Sequence, residues 1–283
     1  MEHSGMPVVV GTDGSEHARR AVLWAADEAE LRGLPLKIVL AMDMPGFRPR
    51  DIEQALAASG ERVLAGAARE ARERRPGLDV TVELLRGDMP GAVRDQAGGA
   101  FEIVLGSRGL GGFKGLLLGS TAMRVAGRVP GPVVIVRGRT EGGHGRIVLG
   151  VDPFHEEGDP LEYAFEAAVA REASIRAMHV FQVADTLLPL TPTISTEQVA
   201  EVARDELAKA LAPWKEKFPQ VDVDEEVVQG HPVETLVDAS RSADLLVLGA
   251  HGHTALGGMI VGSTTQGAFQ HADCPVVAVR PRA

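Results

Sequence analysis

Cysteine is almost missing from this chain: Cys274 stands alone among 283 residues, so no internal disulfide can form. A reducing, cytoplasmic setting is the expectation that follows. Aromatic residues are scarce at 4%, which leaves Val, Leu, Ile and Ala to build the core. No apolar run approaches the roughly 18 residues that a membrane-spanning helix needs. The opening Met-Glu-His-Ser-Gly has no apolar signal-peptide core, so no membrane partner is expected. No basic stripe offsets the formal charge of −10, and nucleic acid is not an expected partner either. Gly-Lys-Ser/Thr is absent too, which excludes a phosphate loop of the Walker type.

Glycine, by contrast, is plentiful at 33 residues, and apolar residues reach 45% against 24% charged. That is the balance of a globular protein, and the length suggests about two domains. A repeat makes this specific. Gly106-Ser107-Arg108-Gly109 is followed nine residues later by Gly119-Ser120-Thr121; Gly249-Ala250-His251-Gly252 is followed nine residues later by Gly262-Ser263-Thr264. The offset of 143 also relates Gly87 to Gly230 and Pro132 to Pro275. Nearer the start it is 139, relating Gly11-Thr12-Asp13 to Gly150-Val151-Asp152, so four residues were added within one loop of the second copy. The chain is a duplicated domain, expected at residues 1–138 and 146–283 with 139–145 as linker.

Each copy alternates short apolar runs with longer helical patterns, the mark of parallel strands joined by helical crossovers. In the first copy strands are expected at Val8–Gly11, Leu36–Ala41, Val80–Leu85, Ile103–Leu105 and Val133–Val136. In the second they are expected at Ile147–Val151, Ile175–Phe181, Val221–Val228, Leu245–Leu248 and Val276–Val279. Continuous β-branched runs such as Val133 to Val136 suit strands covered on both faces. Asp159-Pro160-Leu161-Glu162 reads as the capped start of a helix, with Asp159 as cap.

The stretch from Gly106 to Thr121 follows a strand and opens a helix, a context in which main-chain amides gather round anions. Its glycines leave the backbone uncovered, and Ser120 and Thr121 sit where a helix dipole favours negative charge. Arg108 and Lys114 add positive charge. The plainer alternative is that Ser120 only caps its helix and the glycines only make a turn. Asp13 stands at the carboxyl end of the first strand, where a carboxylate can accept from an exocyclic amine such as that of adenine. Its plainer alternative is a helix cap paired with Glu16. In doubly wound sheets ligands bind at these strand ends, where the strand order reverses. His251-Gly252-His253 has no Cys or Glu-x-x-His pattern beside it, and no metal site is read there.

The pattern Gly-x2-Gly-x9-Gly-Ser, with Asp ending the first strand, resembles the universal stress protein family over nearly the whole chain, twice. The resemblance implies an α/β fold of two tandem doubly wound domains, each a five-stranded parallel sheet in the order 3-2-1-4-5 flanked by helices. It implies ATP, with or without Mg²⁺, as cofactor. Asp13 and Asp152 would meet the adenine; Ala41 and Val180 would meet the base through backbone groups. Gly106, Arg108, Gly109, Gly119, Ser120 and Thr121 would hold ribose and phosphates, as would Gly249, His251, Gly252, Gly262, Ser263 and Thr264. It further implies an internal pseudo-dimer through the last strands, room for a homodimer, and a protein partner that the sequence does not name.

The expected function is a nucleotide-dependent regulator or sensor in stress or dormancy; the alternative is a slow ATPase or nucleotidyl hydrolase. Neither glycine loop contains a carboxylate to position water, which weighs against robust turnover. A scaffold with vestigial sites is disfavoured because every motif position is kept in both copies. Arg108 becomes His251, Lys114 becomes Gly257 and Gly14 becomes Pro153, so the first copy is expected to bind ATP more tightly.

Overall fold

The computed structural model describes residues 5–42, 50–109, 118–140, 143–155, 158–182, 195–250 and 261–282. Strand and helix alternate along it. The first half runs β1 (Val8–Gly11), α1 (Glu16–Arg32), β2 (Leu36–Met42), α2 (Arg50–Arg74), β3 (Val80–Arg86), α3 (Met89–Ala97), β4 (Glu102–Gly106), α4 (Ser120–Ala126) and β5 (Gly131–Val136). The second runs β6 (Arg146–Gly150), α5 (Gly158–Arg171), β7 (Ser174–Phe181), α6 (Thr196–Lys217), β8 (Val223–Gln229), α7 (Pro232–Ser240), β9 (Leu245–Gly249), α8 (Ser263–His271) and β10 (Val276–Arg280). The chain divides into two compact units, one holding β1–β5 and the other β6–β10.

In the first unit the strand order is β3-β2-β1-β4-β5, all parallel. In the second it is β8-β7-β6-β9-β10, again parallel. This is the 3-2-1-4-5 order twice over. The order reverses between β1 and β4, and between β6 and β9. Because parallel crossovers are right-handed, that reversal sends the later helices to the opposite face. Accordingly α1 packs with α2 and α3 with α4, while α5 packs with α6 and α7 with α8.

Every residue of β1 and β5 is enclosed, as their apolar runs require, and β4 is buried except at Gly106. The core is mostly aliphatic; Trp24 and Phe101 are buried in the first unit, and Phe165 and Phe269 are fully buried in the second. Helix ends follow local chemistry. Ser15 caps α1, its hydroxyl accepting the Ala18 N–H at 3.2 Å. Gly33 ends that helix at φ 65°, a left-handed position where a side chain would be strained. The α5 start differs from expectation. The helix opens at Gly158, so Asp159 lies inside its first turn rather than capping it. An acidic residue suits that turn through the dipole as well as it suits a cap, so the residue types alone do not separate the two.

The expected linker is partly claimed by the second unit. The Asp244 carboxylate accepts the N–H groups of Gly143 and His144 at 3.1 Å each and of Gly145 at 2.8 Å. Among the described residues no helix is long and apolar enough to cross a membrane.

Candidate functional site

Register places the site. Gly11 of β1 lies beside Val39 of β2, and Val10 lies beside Val104 of β4, so β1 and β4 end within about a residue of each other while β2 runs on to Met42. The Thr12 N–H continues the ladder to the Val39 carbonyl at 2.8 Å, and the chain then turns into α1. Within that turn Gly14 donates its N–H to the Thr12 hydroxyl at 3.2 Å, and Ser15 donates to Asp13 Oδ1 at 2.9 Å. Gly14 adopts φ +79°, which favours glycine. Ser15, and not Asp13, is therefore the helix cap. One Asp13 oxygen anchors the turn and the other, Oδ2, faces Gly109, where a Cβ would lie only 2.5 Å away.

The glycine loop is held from its ends. The Ser107 N–H donates to the Val136 carbonyl at 3.2 Å, and the Gly119 N–H donates to the Ser107 carbonyl at 2.8 Å. Gly106 lets the start of α1 lie directly on the end of β4: a Cβ there would sit 2.6 Å from the His17 carbonyl oxygen. Gly119, not Ser120, is the cap residue of α4, and having no side chain it makes no cap bond to the helix's opening amides. Ser120 and Thr121 are its first two residues.

These elements enclose a cavity of about 430 Å³. All eight residues expected to form the first site line it: Asp13, Ala41, Gly106, Arg108, Gly109, Gly119, Ser120 and Thr121. The wall also includes Met89, Leu105 and Leu118, an apolar surface that the sequence reading missed because it is contributed by three separate elements. Gly11 and Thr12 line it too, and Gly11 carried a visible signal. A Cβ there would lie 2.7 Å from Leu105 Cδ2, and at its repeat equivalent, Gly150, one would lie 2.5 Å from Leu248 Cδ2. The cavity thus joins an apolar wall and a carboxylate to main chain, the hydroxyl residues Thr12, Ser120 and Thr121, and one guanidinium. Asp13 is the one carboxylate among the described lining residues. Beside the cavity, burial and then the nearby Arg108 and Arg20 hold the His17 imidazole below its ordinary value; Glu16 and Asp13 act in the opposite direction.

The second unit repeats the frame with different occupants. The Val151 N–H donates to the Met178 carbonyl at 2.9 Å, and Gly262 donates to the Ala250 carbonyl at 3.4 Å, matching Thr12 and Gly119. Gly249 ends β9, Gly262 precedes α8 without a side-chain cap bond, and Ser263 and Thr264 open that helix. Val180 lies in β7, beside Val228. Asp152 accepts the Phe154 N–H at 3.2 Å on Oδ1, and His155 Nδ1 lies 2.9 Å from Oδ2. His179, at the place of Leu40, donates through Nδ1 to the Val151 carbonyl at 3.0 Å and stacks on Phe181 with rings 6.3 Å apart. Expected site residues His251 and Gly252 lie outside the described residues, as do Lys114 and Gly257. Among the described residues no group of three or more His, Cys, Asp or Glu is placed to hold a metal.

The profile of the universal stress protein family matches residues 6–137 and again 143–280. The chain belongs to the universal stress protein family. A universal stress protein of Mycolicibacterium smegmatis is 31% identical over 297 residues, covering 97% of each chain. One from Mycobacterium tuberculosis is 30% identical over 286 residues, covering 96% of each. Among solved structures, a universal stress protein from Archaeoglobus fulgidus superposes with a TM-score of 0.73 over 98% of both chains at 20% identity. At that identity the likeness speaks for the fold: two universal stress protein domains in tandem, spanning the same length as these relatives.

Proposed function

We propose that this tandem universal stress protein binds ATP in the first cavity and acts as a nucleotide-dependent regulator in stress or dormancy. In this reading each domain, residues 1–138 and 146–283 joined by 139–145, carries one site. The observation that carries it is one cavity lined by Asp13, just past the end of β1, and by Gly106, Gly109 and Gly119, with Asp13 Oδ2 turned toward Gly109. The residue chemistry fits each part of the ligand. The apolar wall of Ala41, Met89 and Leu105 suits a flat base, and Asp13 Oδ2 is an acceptor for its amine. The cavity volume of about 430 Å³ falls in the range of small-molecule sites. The α4 opening amides, the Ser120 and Thr121 hydroxyls and Arg108 suit phosphates, with the guanidinium as the charge.

Binding is favoured over turnover because hydrolysis needs a group to position water near the phosphates, and Asp13 is engaged at the base end. The test is direct. The purified protein is denatured and the released nucleotides separated by chromatography. Recovered ATP is the expected result; ADP or AMP alone would point to hydrolysis, and no nucleotide from a protein that also fails to bind added ATP would end the proposal. Asp13→Ala is expected to weaken ATP by about 10- to 100-fold, the range of a hydrogen bond to a charged group.

A further inference from the structure

We infer that Met89 makes the first cavity sensitive to peroxides: oxidation of its thioether to the sulfoxide weakens nucleotide binding there, and reduction restores it. This rests on reading the cavity as a nucleotide site. Met89 is the first residue of α3, and its side chain reaches the end of β1, where a Cβ on Gly11 would lie 3.3 Å from Met89 Sδ and 3.6 Å from Met89 Cε. Gly11 and Met89 both line the cavity, and Met89 carries the one sulfur among its described lining residues. Met89 is half-buried, and a cavity of about 430 Å³ admits a small peroxide to its side chain. The second domain puts hydrocarbon at the same place. Pro232 matches Met89 at the repeat offset of 143, and the three atoms nearest a Cβ on Gly150 would be methyl carbons of Leu248 and Leu236.

The step is a two-electron oxygen transfer from a peroxide. A sulfur lone pair attacks one peroxide oxygen and the O–O bond breaks as the S–O bond forms. The sulfur is oxidised; the departing hydroxide takes the proton of the transferred oxygen and leaves as water. The product exchanges a polarisable apolar group for a strong hydrogen-bond acceptor. Beside Ala41, Leu105 and Leu118 that oxygen has two courses. It stays against the wall and gives up its water without a partner, or it swings into the cavity and takes space from the base. Either course disfavours a flat apolar face against this wall.

Calorimetric titration of the full chain with ATP, before and after treatment with hydrogen peroxide, tests this in wild type and Met89→Leu. Peptide mass spectrometry reports the oxygen gained at each methionine. What is read is the change in affinity on treatment within each protein: a loss of about tenfold is expected in wild type and none in Met89→Leu. An unchanged affinity in wild type whose Met89 carries the oxygen overturns the inference, as does an equal loss in the variant. So does a Met89 that stays reduced while other methionines are oxidised. All three leave the nucleotide site standing. Failure of untreated wild type to bind ATP overturns the nucleotide reading and this inference with it. Should the variant not fold, wild type decides alone. A methionine sulfoxide reductase supplied with a dithiol restores the affinity as Met89 returns to the thioether, and a loss that persists after that return overturns the inference.

Discussion

Two glycines of the cavity wall fail differently when a methyl is added, because what they touch differs in its freedom to move. At Gly109 the obstacle is Asp13 Oδ2, 2.5 Å from the new Cβ, the end of a side chain that can rotate away. Gly109→Ala should therefore fold with little loss, yet bind ATP about tenfold more weakly because the carboxylate leaves the crevice. At Gly106 the obstacles are the His17 carbonyl oxygen and carbon at 2.6 and 2.7 Å and the Ala18 nitrogen at 3.0 Å, all backbone. Gly106→Ala should cost about 1–3 kcal/mol of stability, read from the midpoint of denaturant unfolding. Spacing in the sequence singled out both glycines, but not the difference between them. His17 makes a second prediction at this scale. Its value is depressed in the folded state, so its contribution is present above the ordinary 6.5 and lost as pH falls through the lower folded value. Ligand-free wild type should lose more stability than His17→Gln between about pH 7 and pH 5, followed by thermal unfolding at each pH.

Elements were the most legible level, since strands and helices differ in the period of their apolar residues. The ten strands fall where the apolar runs are, with ends displaced by a residue or two. Val221 sits in a turn, its N–H donating to the Phe218 carbonyl at 3.0 Å, and β8 starts at Val223. What periodicity could not supply is which short helix forms a wall of the cavity. The α3 helix does so through Met89, and its start is fixed by Asp88. That carboxylate accepts the Gly91 N–H at 3.2 Å through Oδ1 and meets Arg124 of α4 at 3.1 Å through Oδ2. The ion pair is solvent-exposed and contributes little; the cap contributes most of the effect. Asp88→Ala should cost about 1 kcal/mol in chemical denaturation, and Asp88→Asn, which keeps a capping acceptor, should recover most of it. Arg124→Ala should be nearly neutral.

At the scale of the whole molecule the duplication was plain from the fixed offset, whereas the strand order came from family resemblance: spacing along a chain does not say which strands pair. Nor could spacing reveal that equivalent aspartates are used differently. Asp13 gives one oxygen to its own turn and turns the other toward Gly109. Asp152 has the Phe154 N–H on one oxygen and His155 on the other, so a ligand amine competes with His155 for Oδ2. That competition costs affinity. Two classes of ATP site should therefore appear in calorimetry at neutral pH, with the first domain the tighter. Asp13→Ala should abolish the tight class and leave the weak one; Asp152→Ala should do the reverse. His155→Ala should strengthen the weak class alone, by about tenfold if one hydrogen-bonded competitor has been removed. A single class that both aspartate substitutions weaken equally would mean that the two turns are interchangeable in solution, whatever their hydrogen bonds.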